Sequence, residues 1–73
     1  MIELTYANYK DQQNEIRNQL EKFAQKHTLS IYNLARLLDV AYETINCFMV
    51  DNRVVRYSTL CKIAELLNKD DKE

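Results

Sequence analysis

The sequence predicts an all-α fold, a small four-helix domain, on three observations. It contains no glycine and no proline and is rich in Leu, Ala, Glu, Lys and Gln, residues that cost a helix little backbone or rotamer entropy. Its apolar residues recur three and four positions apart, the spacing that lines one side of a helix. That spacing is interrupted at His27-Thr28, at Asp39-Val40-Ala41 and from Asp51 to Tyr57, which cuts the pattern into four segments. Seventy-three residues make one domain with one small core, near the lower limit for a chain that folds without staples.

The opening MIELTYANYK alternates at Ile2, Leu4 and Tyr6, but a lone strand has nothing to pair with in a helical chain. Tyr6, Tyr9, Gln13, Ile16, Leu20, Phe23 and His27 follow helical spacing instead. The first secure helix is therefore expected over about Asn8 to Lys26, with Thr5 or Asn8 as its cap. Residues 1–7 form an N-terminal arm, whose Tyr6, with Tyr9 just beyond it, either packs over the edge of the core or offers a homodimer contact. The first helix is expected to bury Ile16, Leu20, Phe23 and Ala24 and to keep Glu15, Arg17, Glu21 and Lys22 in water. His27 falls at its C-terminus, where a positive charge is favoured, and Leu29 enters the core.

Ser30 is placed to cap a second helix over Ile31 to Leu38, with Leu34, Ala35 and Leu38 on one face. Asp39 stops it. A stop of this kind commonly needs positive φ, and with no glycine in the chain Asp39 must supply it, being one of the few side chains that tolerates the left-handed region. The same holds for Asp51-Asn52. Val40 sits within the turn and is expected between the helices, and Ala35 is small where two helices cross steeply. A third helix over Tyr42 to Val50 turns Ile45 and Phe48 inward. This is a helix-turn-helix pattern over residues 30–50, in which one helix braces another that is presented outward. The loop DNRVVRY follows, then a last helix opened by Ser58 or Thr59, with Leu60, Ile63, Ala64 and Leu67 as its stripe. The main domain is thus residues 8–68 and the charged tail 69–73, with NKDDKE expected to fray. The predicted core is Leu20, Phe23, Leu34, Ala35, Leu38, Val40, Ile45, Phe48, Leu60, Ile63 and Leu67.

From Leu29 to Leu67, LSIYNLARLLDVAYETINCFMVDNRVVRYSTLCKIAELL resembles the Cro/C1-type, phage repressor-like (XRE) helix-turn-helix family. The resemblance rests on the Leu34-Ala35 pair, the Leu38-Asp39-Val40 turn, Thr44-Ile45 and the closing LCKIAELL. It implies a lambda-repressor-like fold and a phage- or plasmid-type transcriptional regulator that binds a double-stranded DNA operator. The third helix would enter the major groove, with Asn46 pairing with adenine and Glu43 accepting from cytosine. The candidate binding residues are Tyr42, Glu43, Asn46, Cys47, Met49 and Val50 on the helix, Arg53 and Arg56 in the loop, and Arg36 on the second helix. The chain departs from the family where it reads DNA: Ile31 stands where members usually carry a polar residue, the exposed helix face bears only a negative charge, and the usual dimerising fifth helix is absent. Tyr42, Cys47, Met49, Val50, Val54 and Val55 suit a protein surface, so an antirepressor or modulator that grips a repressor protein is the alternative.

The formal net charge of −1 is low for a DNA-binding module. Cys47 and Cys61 have no CxxC spacing and only His27 to join them, so a zinc site is not expected and both cysteines read as free thiols. No cofactor is expected. The absence of a nucleophile beside a base, of paired carboxylates on one face and of a phosphate-cradling loop argues against an enzyme. No apolar run approaches a membrane span and no secretory leader is visible, which suggests a cytoplasmic protein.

Overall fold

The N-terminal turns show how local chemistry overrides helical spacing. A computed structural model of the protein describes residues 3–71; residues 1–2 of the arm and 72–73 of the tail lie outside it. The Thr5 N–H donates to Asn8 Oδ1 at 2.8 Å and the Asn8 N–H to Thr5 Oγ1 at 3.2 Å. The Asp11 and Gln12 N–H groups then share the Asn8 carbonyl, at 2.9 and 3.1 Å. Side-chain bonds of this kind compete with the helical ladder. Residues 6–12 therefore form successive turns, and helix α1 spans Gln13–Lys26, five residues later than the predicted start at Asn8.

α1 buries Gln13, Ile16, Arg17, Leu20 and Phe23. Arg17 belongs to the inner stripe and not to the wet side. It lies four residues after Gln13 and three before Leu20, and spacing decided its position over charge. The helix ends at Thr28, whose φ is 54°, and the Leu29 N–H returns to the Ala24 carbonyl at 2.8 Å while the Thr28 N–H takes that of Gln25 at 3.3 Å. This is the paired C-terminal closure that otherwise favours glycine.

α2 spans Ile31–Leu38, and the Ser30 side chain accepts from the Asn33 N–H. Asp39 carries φ 58° and closes the helix in the same way, with Val40 N–H to Ala35 O at 3.0 Å and Asp39 N–H to Arg36 O at 3.2 Å. Lys62 donates to the Asp39 carbonyl at 3.4 Å, a cation where the helix dipole favours one. α3 spans Tyr42–Met49. α4 spans Tyr57–Asp71, beginning a residue before the expected opening and continuing past Asn68 into the expected tail. Asp70 explains the extension: its carboxylate meets His27 at 3.1 Å and Lys26 at 3.3 Å, which ties the end of α4 to the end of α1.

α1 packs on α4 and α2 on α3, with further contacts of α1 to α3 and α2 to α4. The core consists of Ile16, Leu20, Phe23, Leu34, Ala35, Leu38, Ile45, Phe48, Val55, Leu60, Ile63 and Leu67. Ala64 is buried too. Leu29 and Val40 are half-buried and pack against this core, so Val40 lids the turn where full burial was expected. Val55 is the reverse case, a residue read as part of an exposed loop strip that lies in the core. The architecture is all-α, with no strand among the described residues, and no helix among them is long and apolar enough to cross a membrane.

Candidate functional site

The outer side of α3 follows from its inner one. Ile45 and Phe48 are fully buried, which turns Glu43 and Val50 outward and leaves Asn46 and Cys47 on the shoulders, half-buried. Tyr42 is half exposed, at 50%, and Met49 is half-buried against the core. Arg53 and Arg56 are exposed in the segment between α3 and α4.

The candidate residues divide between two hollows on either side of α3. Cys47, Arg53 and Arg56 line an open cleft of about 490 Å³ with Thr44, Ser58 and Thr59. Among the described residues no carboxylate lines this cleft; its lining combines two arginines and three hydroxyl-bearing residues with Val40, Ala41, Val54 and Val55. Met49 and Val50 instead line a groove of about 680 Å³ with Ala24, Leu29, Ile31 and Leu34. The apolar strip expected from Tyr42 through Val50 to Val54-Val55 is therefore broken. Met49 and Val50 face one hollow, Val54 the other, and Val55 is buried. Tyr42, Glu43 and Asn46 line neither hollow. Arg36 stands apart on α2, its guanidinium 5.8 Å from the Tyr32 ring.

The segment carrying Arg53 and Arg56 has no regular structure, yet it is firmly held. Asn52 takes φ 56°, as the Asp51-Asn52 turn predicts. The Asp51 and Arg53 N–H groups both reach the Cys47 carbonyl, at 3.1 Å each. The next carbonyl, Phe48 O, accepts from Arg17 Nε at 2.6 Å, and Arg17 also donates to Arg53 O at 3.3 Å and to Asn14 Oδ1. The Arg17 guanidinium lies 4.6 Å over the Phe48 ring. Gln13 grips Val55 at both backbone groups, accepting its N–H at 3.2 Å and donating to its carbonyl at 3.4 Å. Sequence reading had placed Gln13 in the α1 stripe but gave neither residue a role. The available signal was their i, i+4 spacing on that stripe.

A second cluster lies at the start of α4, where the Tyr57 ring meets Tyr6 and Tyr9 edge-on and those two meet at a tilt, with centroids 5.3 to 5.5 Å apart. A hydrogen bond with Cys61, followed by burial, raises the Tyr57 phenol above its ordinary value. Both cysteines are free. Among the described residues no group of three or more His, Cys, Asp or Glu side chains could hold a metal ion.

Comparison with protein-family models, with curated proteins and with solved structures gives no match.

Proposed function

We propose that the chain is a small DNA-binding regulator of the helix-turn-helix type. In this reading α3 enters the major groove, and Arg53 and Arg56 bind the backbone beside it. The observation that carries the reading is the cleft between α3 and α4, which two exposed arginines line together with three hydroxyl-bearing residues and, among the described residues, no carboxylate. Guanidinium and hydroxyl donors are what phosphate oxygens accept from, and such contacts set register on a duplex while base edges set sequence. Asn46 and Glu43 on the outer ridge are the base-reading residues, suited to adenine and to cytosine respectively. Arg36, turned toward Tyr32, is assigned at most one outlying phosphate. The chain acts as a binding module, with no catalytic chemistry assigned. A homodimer through Tyr6, which is 72% exposed, would double the phosphate contacts.

The groove lined by Met49 and Val50 favours a second reading, a modulator that binds a repressor protein. A few apolar anchors seated in such a hollow carry most of the binding energy of a protein interface.

Alanine substitutions separate the two. Fluorescence anisotropy on a random-sequence duplex pool, and on a purified Cro/C1-type repressor protein, is measured for Arg53→Ala, Asn46→Ala, Met49→Ala and Val50→Ala. The DNA reading predicts that Arg53→Ala weakens binding to the pool by about tenfold, from a lost phosphate contact, that Asn46→Ala leaves pool binding nearly unchanged but reduces the enrichment of adenine-bearing sequences recovered from the pool, and that the apolar changes leave both intact. The opposite order, with the repressor as ligand, would replace it with the modulator reading.

A further inference from the structure

We infer that Gln13 and Arg17, on α1 and outside the candidate interface, are its positioning residues: they hold the 51–56 segment in one shape, with Arg53 and Arg56 displayed, before any ligand arrives. The inference rests on the proposed reading of that segment as part of a DNA-binding surface.

The chemistry of the two side chains points to this role. A primary amide sets an acceptor oxygen beside a nitrogen with two N–H donors, nearly matching the geometry of a peptide group and leaving one donor to spare. Gln13 uses oxygen and nitrogen on a single residue, taking the Val55 N–H and giving to the Val55 carbonyl, as a neighbouring strand would. Gln13 is 4% exposed and itself anchored, its amide nitrogen also lying 3.1 Å from Tyr9 O. Arg17 is 7% exposed, and among the described residues no carboxylate is one of its hydrogen-bond partners. Its charge is met by the Phe48 and Arg53 carbonyls, the Asn14 side chain and the Phe48 ring, at the C-terminal end of α3 where the helix dipole is negative. Core volume alone would be filled as well by an apolar side chain. What the polar pair adds is direction: Gln13 fixes both backbone groups of Val55 and Arg17 the Arg53 carbonyl in the α3–α4 connection, while a second Arg17 bond holds Phe48 O at the end of α3.

The arrangement has a consequence for binding. Residues 51–54 and Arg56 are exposed, and only Val55 of this segment reaches the core. Without the pair, the two arginines would ride on a connection free to sample many shapes, and ordering it would be charged against affinity.

The test combines amide hydrogen exchange on the free chain with anisotropy titration of a random-sequence duplex, for the unchanged protein, Gln13→Leu, Gln13→Glu and Arg17→Lys. Gln13→Leu keeps the buried volume and removes both bonds. The Val55 amide is expected to exchange about tenfold faster or more, while the Leu20, Ile45 and Ile63 amides hold their rates, because local opening and global unfolding are separate processes. Gln13→Glu retains the acceptor for the Val55 N–H and should restore much of that protection. Arg17→Lys keeps the charge but cannot span Phe48 O and Arg53 O in the same fork, and should weaken duplex binding with the core amides intact. Equal protection of Val55 in Gln13→Leu, a uniform loss across all amides, or undiminished duplex binding by Gln13→Leu and Arg17→Lys would overturn the inference. The exchange arm needs no ligand: if the unchanged protein binds no duplex, the functional reading fails, and the exchange rates alone decide whether the pair sets the segment.

Discussion

Replacing Ala35 with leucine tests the packing on which everything else in the domain depends. Ala35 is 2% exposed and sits one turn before the left-handed stop of α2, whose Val40 N–H bonds its carbonyl at 3.0 Å. Leucine adds three carbons. In an empty space their burial would stabilise by about 2 kcal/mol, at roughly 0.8 kcal/mol per methylene. In a core already filled by Leu34, Leu38, Ile45 and Phe48 among others, the added methyl groups force off-rotamer side chains, and overpacking costs about 1–3 kcal/mol. A chain of this length has on the order of 4–11 kcal/mol of stability in all. At about 4–8 °C per kcal/mol for so small a domain, the melting temperature should fall by roughly 5–20 °C in a circular-dichroism melt. Ala24→Leu supplies the contrast. Ala24 also lies on a helix, but it lines the open groove beside Met49 and Val50, where the same three carbons have space. That variant should melt at or above the unchanged protein. An Ala35→Leu melt that is unchanged or raised, or two variants that behave alike, would refute the packing described.

Other perturbations address the helix ends. Ser30→Ala removes the acceptor for the Asn33 N–H and should cost about 1 kcal/mol in a denaturant titration; no change would mean that water replaces the cap. Thr28→Gly relieves a β-branched residue at φ 54°, against a left-handed cost of about 1–2 kcal/mol, and should raise the melting temperature, whereas Thr28→Val should not. Asp70 carries a pH signature: the hydrogen bond from His27, then the contacts with Lys26, lower its carboxyl below the ordinary 3.8 against an opposing effect of burial. A depressed carboxyl stabilises the fold above its unfolded value and loses that contribution as pH falls through the folded one. The melting-temperature gap between the unchanged protein and Asp70→Asn should therefore be present at about pH 5 and close as pH falls below 3.8. A gap that persists undiminished to pH 2 would contradict the pairing.

The parts of this fold that could be read from the sequence are those whose causes are local. α2 begins and ends where Ser30 and Asp39 place it, because a hydroxyl cap and a left-handed stop act within one turn. The inner residues of α2, α3 and α4 follow from spacing alone. Arg17 and Val55 were misplaced because their positions are set across the chain. Arg17 meets Phe48 and Arg53, 31 and 36 residues on, and Val55 meets Gln13 over 42. Side-chain type favoured an exposed arginine and a loop valine, and only tertiary partners reverse both. The helical spacing through Tyr6 and Tyr9 misled for the opposite reason: Thr5 and Asn8 satisfy each other more locally than a ladder would. At the candidate site the loop arginines were legible as charge beside a presented helix. The separation of Met49 and Val50 from Val54 was not, since it depends on where α1 and α4 flank α3.

The salt dependence of duplex binding bears most directly on the proposed DNA-binding role. Binding isotherms for a random-sequence duplex pool, taken from about 50 to 200 mM salt, give the slope of log K against log salt, near −0.9 for each phosphate neutralised. With Arg53 and Arg56 on the backbone, and Arg36 at most adding a third contact, the slope should be about −2 to −3 for one chain, and either Arg53→Ala or Arg56→Ala should flatten it by about 0.9. A slope near zero, a slope as steep as ten phosphates, or one that neither arginine substitution alters would contradict the assignment of the α3–α4 cleft to DNA.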